Sequence, residues 1–205
     1  MQKLILNSPD RPLVKYLALL LFLFSTCGLL AQATFEGFES QSPSNIPWFT
    51  DTPNNQWNTS ITEPYAGTAS AISGGFYNNS ISNLNLNINV LTAGNISFYF
   101  KTDTEYWGAV FGDFLKFNID GNLQNQWAGT IGWTYVSFPL TAGVHNLSWS
   151  FTRDNSDTGW DGWKRNRAWI DNISFPTNTY FYGSGDGSAG NPYQISTAAQ
   201  LNSLR

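Results

Sequence analysis

Residues 82–90 read SNLNLNINV. In an extended chain Leu84, Leu86, Ile88 and Val90 fall on one side, and Asn83, Asn85, Asn87 and Asn89 on the other. That is period two, one side for a core and one for water. Working outward, residues 95–101 repeat it with Ile96, Phe98 and Phe100 inward. Residues 114–119 and 123–127 flank Asp120-Gly121, a dipeptide that tolerates the positive φ angles of a type I′ hairpin turn. Residues 133–140, 144–152 and 168–175 supply three further strands, with Ala142-Gly143 as a tight turn between the first two. Weaker pieces lie at 34–39 and around Trp48, Trp57 and Ser70. Together they predict about ten strands and an all-β, two-sheet antiparallel jelly roll.

Composition supports a packed domain. Only 12% of the 205 residues are charged, but nine Trp, nine Tyr and fifteen Phe are far more than a disordered chain carries. The net charge of −4 argues against nucleic acid as a partner, because neutralising phosphates needs clustered Lys and Arg.

Residues 1–33 read as a secretory signal peptide. Lys3, Arg11 and Lys15 lead into an apolar run from Tyr16, and Ala31-Gln32-Ala33 offers the small-x-small pattern for cleavage after Ala33. The run is shorter than the about 20 residues a bilayer span needs, so no membrane span is expected in the mature chain. A lipoprotein signal through Cys27 fits less well, since Thr26 and Phe24 occupy the positions where small and Leu-like residues belong. Cys27 is the single cysteine, so the exported chain must hold together by its core or a metal rather than by disulfides.

After Pro176 the texture changes. The sandwich is expected to span 34–178, followed by a Gly/Ser-rich linker at 179–193 and the truncated start of another domain at 194–205. There Ser196 or Thr197 would cap a helix from Ala198.

Six segments in order carry a resemblance: FEGFES at 35–40, the stretch 48–51, PYAGTASA at 64–71, GNISFYFK at 94–101, FLKFNIDG at 114–121 and AWIDNISF at 168–175. Together they resemble the MAM-like, concanavalin-type jelly-roll modules of secreted and cell-surface bacterial proteins. The tail at 183–201 is similar to the start of a β-helix or repeat-type surface domain. The resemblance implies a module that binds or spaces and does not catalyse. It also implies a structural Ca²⁺ site shared by an acidic residue of the first strand and an aspartate of the last. The matching residues are Glu39 and Asp171, with Glu36 an alternative on the first strand.

Catalytic chemistry is hard to find. His145 is the single histidine, without a nucleophile pattern around it, and its alternation with Val144 places it on the solvent face. Asp103 with Glu105, or Asp113, are the carboxylates that a glycosidase reading would need, but they sit at strand ends where solvated acids are ordinary. The segment 153–167, RDNSDTGWDGWKRNR, is the most unusual. Asp154, Asp157 and Asp161 lack the order of a helical calcium loop. Trp160 and Trp163 in the same segment form a pair that is costly to leave in water unless it stacks on something. Trp107, in the loop 104–112, is a second candidate of this kind.

The expected function is therefore non-catalytic extracellular recognition or adhesion, most readily of a glycan or surface polymer. Trp107, Trp160 and Trp163 would stack on sugar faces, and Asp161 and Arg165 would bond hydroxyls. The contrasting readings are a structural spacer in a large surface protein, and an accessory module of a secreted hydrolase.

Overall fold

The computed structural model describes residues 35–39, 46–75, 77–105, 112–155, 166–183, 185, 188–195 and 201. The expected signal peptide and its cleavage site lie outside them. Among the described residues no helix is long and apolar enough to cross a membrane.

The described chain is an all-β sandwich of two antiparallel sheets. In order the strands are β1 (Phe35–Glu36), β2 (Asn58–Ser60), β3 (Ser70–Ile72), β4 (Ser80–Val90), β5 (Gly94–Asp103), β6 (Phe114–Ile119), β7 (Asn122–Trp127), β8 (Thr130–Leu140), β9 (Gly143–Arg153), β10 (Arg167–Ser174) and β11 (Thr179–Tyr182). Sheet A runs β2-β3-β10-β5-β8, with β1 also paired to β10. Sheet B runs β11-β4-β9-β6-β7.

The period-two strands deliver the core. Leu84, Leu86, Ile88 and Val90 of β4 face Ile96, Phe98 and Phe100 of β5 across it, with Leu147, Trp149 and Phe151 of β9 alongside. Phe98 is at its centre, with ring centroids 5.0 Å from Phe117, 5.5 Å from Trp149 and 6.1 Å from Phe138. Each such aromatic pair adds about 0.5–1.5 kcal/mol beyond its burial, which helps a chain without disulfides hold its shape.

The turns follow the residues that define them. Asp120 (φ 53°) and Gly121 (φ 74°) are both left-handed, as a type I′ hairpin between β6 and β7 requires. In β8 one extra residue against β5 makes a bulge, because Phe100 faces Thr134 while Thr102 faces Ile131. The bulge reverses the alternation, so Ile131 packs on the core while Trp133 joins the outer face.

Two sequence expectations change. The asparagine side of β4 is not simply solvated, since Asn85 and Asn87 are buried. Phe49 bridges Asn85, and Asn87 Nδ2 donates to the carbonyls of Gly183 (3.0 Å) and Gly185 (2.7 Å). The segment read as a linker supplies that cover. Its Thr179–Tyr182 stretch pairs with the exposed edge of β4 as β11, and Tyr182 is buried. The aromatic run TYFY is a strand signal that the neighbouring glycines obscure in the sequence.

Candidate functional site

At one end of the sandwich, β5, β6 and β9 begin or finish with acidic residues. Glu105 follows β5, Asp113 precedes β6 and Asp154 follows β9. Register brings Asp113 and Asp154 together, because Phe114 at the start of β6 faces Thr152 near the end of β9, and Glu105 joins them from sheet A. One carboxylate oxygen from each lies within 4.8 Å of the other two, with Glu105 and Asp113 buried.

The cluster is tied in by hydrogen bonds. Arg153 Nε donates to Asp113 Oδ2 at 3.4 Å, and its Nη1 donates to the Gly75 carbonyl at 2.8 Å. The Asp154 N–H donates to Asp113 Oδ1 at 3.0 Å. Burial pushes the Asp113 carboxyl above the ordinary aspartate range, and the Asp154 charge adds to this; the Asp154 N–H and Arg153 oppose it. Burial, then the charge of Arg153, draws the nearby Arg167 guanidinium down.

Three hard carboxylate donors suit a hard divalent cation such as calcium. Gly112 leaves the space, because a Cβ there would strike the carboxylates of both Asp154 and Glu105. The residues present therefore fit such an ion. The sequence does not announce this grouping, since the three acids come from separate strand ends, two in sheet B and one in sheet A.

The same end roots both tryptophan-bearing loops. The loop with Trp107 leaves Glu105 and returns at Gly112, and the segment with Trp160, Asp161, Trp163 and Arg165 leaves Asp154 and returns at Asn166. These five residues themselves lie outside the described residues.

Glu39 and Asp171 are brought to one loop, that joining β2 to β3. Asp171, with no exposed surface, accepts the N–H groups of Tyr65 (2.9 Å) and Ala66 (3.2 Å) on Oδ2 and of Asn172 (2.7 Å) on Oδ1. Glu39 Oε2 accepts the N–H and the hydroxyl of Thr68, at 2.8 and 2.7 Å. Burial raises the Asp171 carboxyl and the Glu39 charge adds to this, against the N–H donors of Ala66, Asn172 and Tyr65. The Thr68 hydroxyl, then its N–H, lowers Glu39. Three of the pair's four carboxylate oxygens thus accept N–H or hydroxyl donors from the chain. Glu36, the alternative, is buried and staples its own strand, accepting the Phe38 N–H at 2.7 Å and the Trp48 indole N–H at 3.2 Å.

His145 is not on the solvent face. It shares the inward row of β9 with Leu147, Trp149, Phe151 and Arg153, while Val144 is exposed. The larger apolar residues set the parity, and the row ends in a polar pair at each rim. His145 Nδ1 lies 2.7 Å from Asp120 Oδ2 at one rim, matching Arg153 with Asp113 at the other.

No protein-family model matches the chain, and no curated protein matches it. Solved structures do. The K1 cleaved adhesin domain of Lys-gingipain from Porphyromonas gingivalis W83 superposes with a TM-score of 0.50 at 14% identity, covering 70% of this chain and 97% of that one. The likeness is one of fold. The CBM22-1 xylan-binding domain of Paenibacillus barcinonensis Xyn10C gives 0.44 at 14% identity, covering 72% and 92%. A family 35 carbohydrate binding module from an environmental isolate gives 0.41 at 13%, covering 68% and 94%.

Proposed function

We propose that this chain is a secreted or surface-attached, non-catalytic recognition module that binds a glycan at the end of the sandwich where the tryptophan-bearing loops are rooted. Trp107, Trp160 and Trp163 stack on the apolar C–H faces of sugar rings, and Asp161 and Arg165 bond the hydroxyls. One observation carries this reading. Loops separated by about fifty residues in sequence spring from a single carboxylate cluster, Glu105, Asp113 and Asp154. A shared root favours a joint surface, since residues held by one buried support keep a fixed spacing.

Calcium belongs to the same reading. Glu105, Asp113 and Asp154 would hold it, and its charge would fix the loop roots and keep the three acids ionised together. The pair expected from sequence, Glu39 and Asp171, is the second place for the ion.

The test is binding of the full mature chain to a broad glycan panel, with calcium and again with chelator. Binding that is lost in a folded Trp160→Ala/Trp163→Ala variant supports the reading. No binding anywhere on the panel sinks it and favours a spacer.

A further inference from the structure

The outer face of sheet A carries a row of side chains in strict register across three strands: Asp171 of β10 faces Tyr99 of β5, which faces Tyr135 of β8. The loop between β2 and β3 crosses above this row. Asp171 holds the loop by the Tyr65 N–H, and the Tyr65 ring lies flat on Tyr99, with centroids 3.6 Å apart and planes 15° apart. Trp133, turned outward by the β8 bulge, meets Tyr65 edge-on at 5.9 Å. Tyr135 closes the group 5.4 Å from Tyr99. Much of this aromatic surface faces water, Tyr65 being 40% and Tyr135 55% exposed.

We propose that Tyr65, Tyr99, Trp133 and Tyr135 form a second glycan-stacking surface, on the outer face of sheet A, that takes a neutral chain of pyranose rings. The proposal shares the ligand class of the loop-end reading and none of its residues.

Cross-strand tyrosine pairs also stabilise sheets, so exposure alone does not decide. Two features point to a ligand. The first is that Tyr65 comes from a loop whose backbone is held by the buried Asp171 and the exposed Glu39. Asp171 and Glu39 clamp the loop from below, and Gly67 in between is left-handed at φ 64°, where a Cβ would collide with the Glu39 carboxylate. A ring held this firmly costs little further ordering when something stacks on it.

The second is the polarity of the patch. Its rings carry hydroxyl or N–H edges, and the next register pair along the same face is Ser97 opposite Ser137. Hydrogen bonding from Tyr65, then burial, raises the Tyr99 phenol above its ordinary value. Lys101 Nζ lies 3.0 Å from Glu63 and over the Trp169 ring, so this ion pair adds no net charge beside the rings. Flat apolar faces rimmed by hydroxyls complement an uncharged sugar, whose rings have apolar faces and hydroxyl edges. A charged polymer or an aliphatic protein surface would find neither.

The experiment is isothermal titration of the full mature chain with cellohexaose, xylohexaose and mannohexaose. Compared are wild type, Tyr65→Ala, Tyr135→Ala, Tyr135→Phe and Trp160→Ala/Trp163→Ala, each with its unfolding curve measured. The proposal expects a folded Tyr65→Ala or Tyr135→Ala to weaken binding about tenfold or more, the loss typical of a truncated aromatic anchor, with Tyr135→Phe much milder. Oligosaccharide binding that survives both alanine variants overturns it. Loss only in the tryptophan variant leaves the loop-end site standing and removes this one; loss only in the tyrosine variants does the reverse. A wild type that binds none of the three sugars overturns the proposal outright.

Discussion

Asp171 positions Tyr65 without touching its side chain. The buried carboxylate accepts the Tyr65 N–H at 2.9 Å, and the ring is thereby delivered onto Tyr99. An acid on the last strand of sheet A thus shapes the surface of the same sheet through a loop that reaches it from between β2 and β3.

Removing that acid has a defined cost. Asp171→Ala strips the acceptor from three N–H groups and is expected to destabilise the protein by several kcal/mol, since each buried donor left without an acceptor costs about 1–3 kcal/mol. Asp171→Asn keeps one acceptor oxygen and should cost less. Urea unfolding of both variants checks the order.

Gly67 and Gly121 separate backbone strain from collision. Both are left-handed, at φ 64° and 74°, but a Cβ at 121 meets nothing within 4 Å while one at 67 strikes Glu39. Gly121→Ala should cost about 1 kcal/mol and Gly67→Ala clearly more, because the Thr68 bonds of Glu39 are disturbed as well. Equal losses in denaturant melts would contradict the clamp.

Acidity acts through two buried carboxyls. Burial raises Asp113 and Asp171 in the folded chain. Between the unfolded value near about 3.9 and the higher folded values, the folded chain binds more protons than the unfolded one. Their contribution is therefore complete below the unfolded value and is lost as pH rises through the folded one. Glu39, lowered, acts the other way and loses its contribution on acidification. In chelator, Asp113→Asn should flatten the part of the melting-temperature profile that improves on going from pH 7 into the acid range. An unchanged profile would show that Asp113 is not held in its raised state.

Calcium should reverse that trend at neutral pH by favouring the ionised acids. Added calcium is expected to raise the melting temperature, with a gain of about 2.7 kcal/mol at a hundred times the dissociation constant. Asp113→Asn should abolish the gain and Asp171→Asn should preserve it. The opposite pattern would move the ion to Glu39 and Asp171.

Much of the fold is legible because it rests on local alternation: β4, β5, β6 and β9 and the Asp120-Gly121 turn follow from the order of apolar, polar and glycine residues. The side of His145 does not follow from its neighbour Val144, because parity is set by the whole row through Leu147, Trp149 and Phe151. Glu105, Asp113 and Asp154 are not legible as a group, since the pairing of β6 with β9 joins two of them and the third comes from β5 of the facing sheet. The sequence motifs pair Glu39 with Asp171, but that the two acids clamp the loop carrying Tyr65 depends on backbone N–H groups, which a sequence does not display.

The most direct test of glycan recognition is an NMR titration of the full mature chain with an oligosaccharide from the panel, followed on the tryptophan indole and tyrosine ring signals. The account predicts saturable shifts of the Trp107, Trp160 and Trp163 indoles and of the Tyr65 and Tyr135 rings, with the sugar recovered intact. Saturation with those signals unmoved, or cleavage of the sugar, would contradict it.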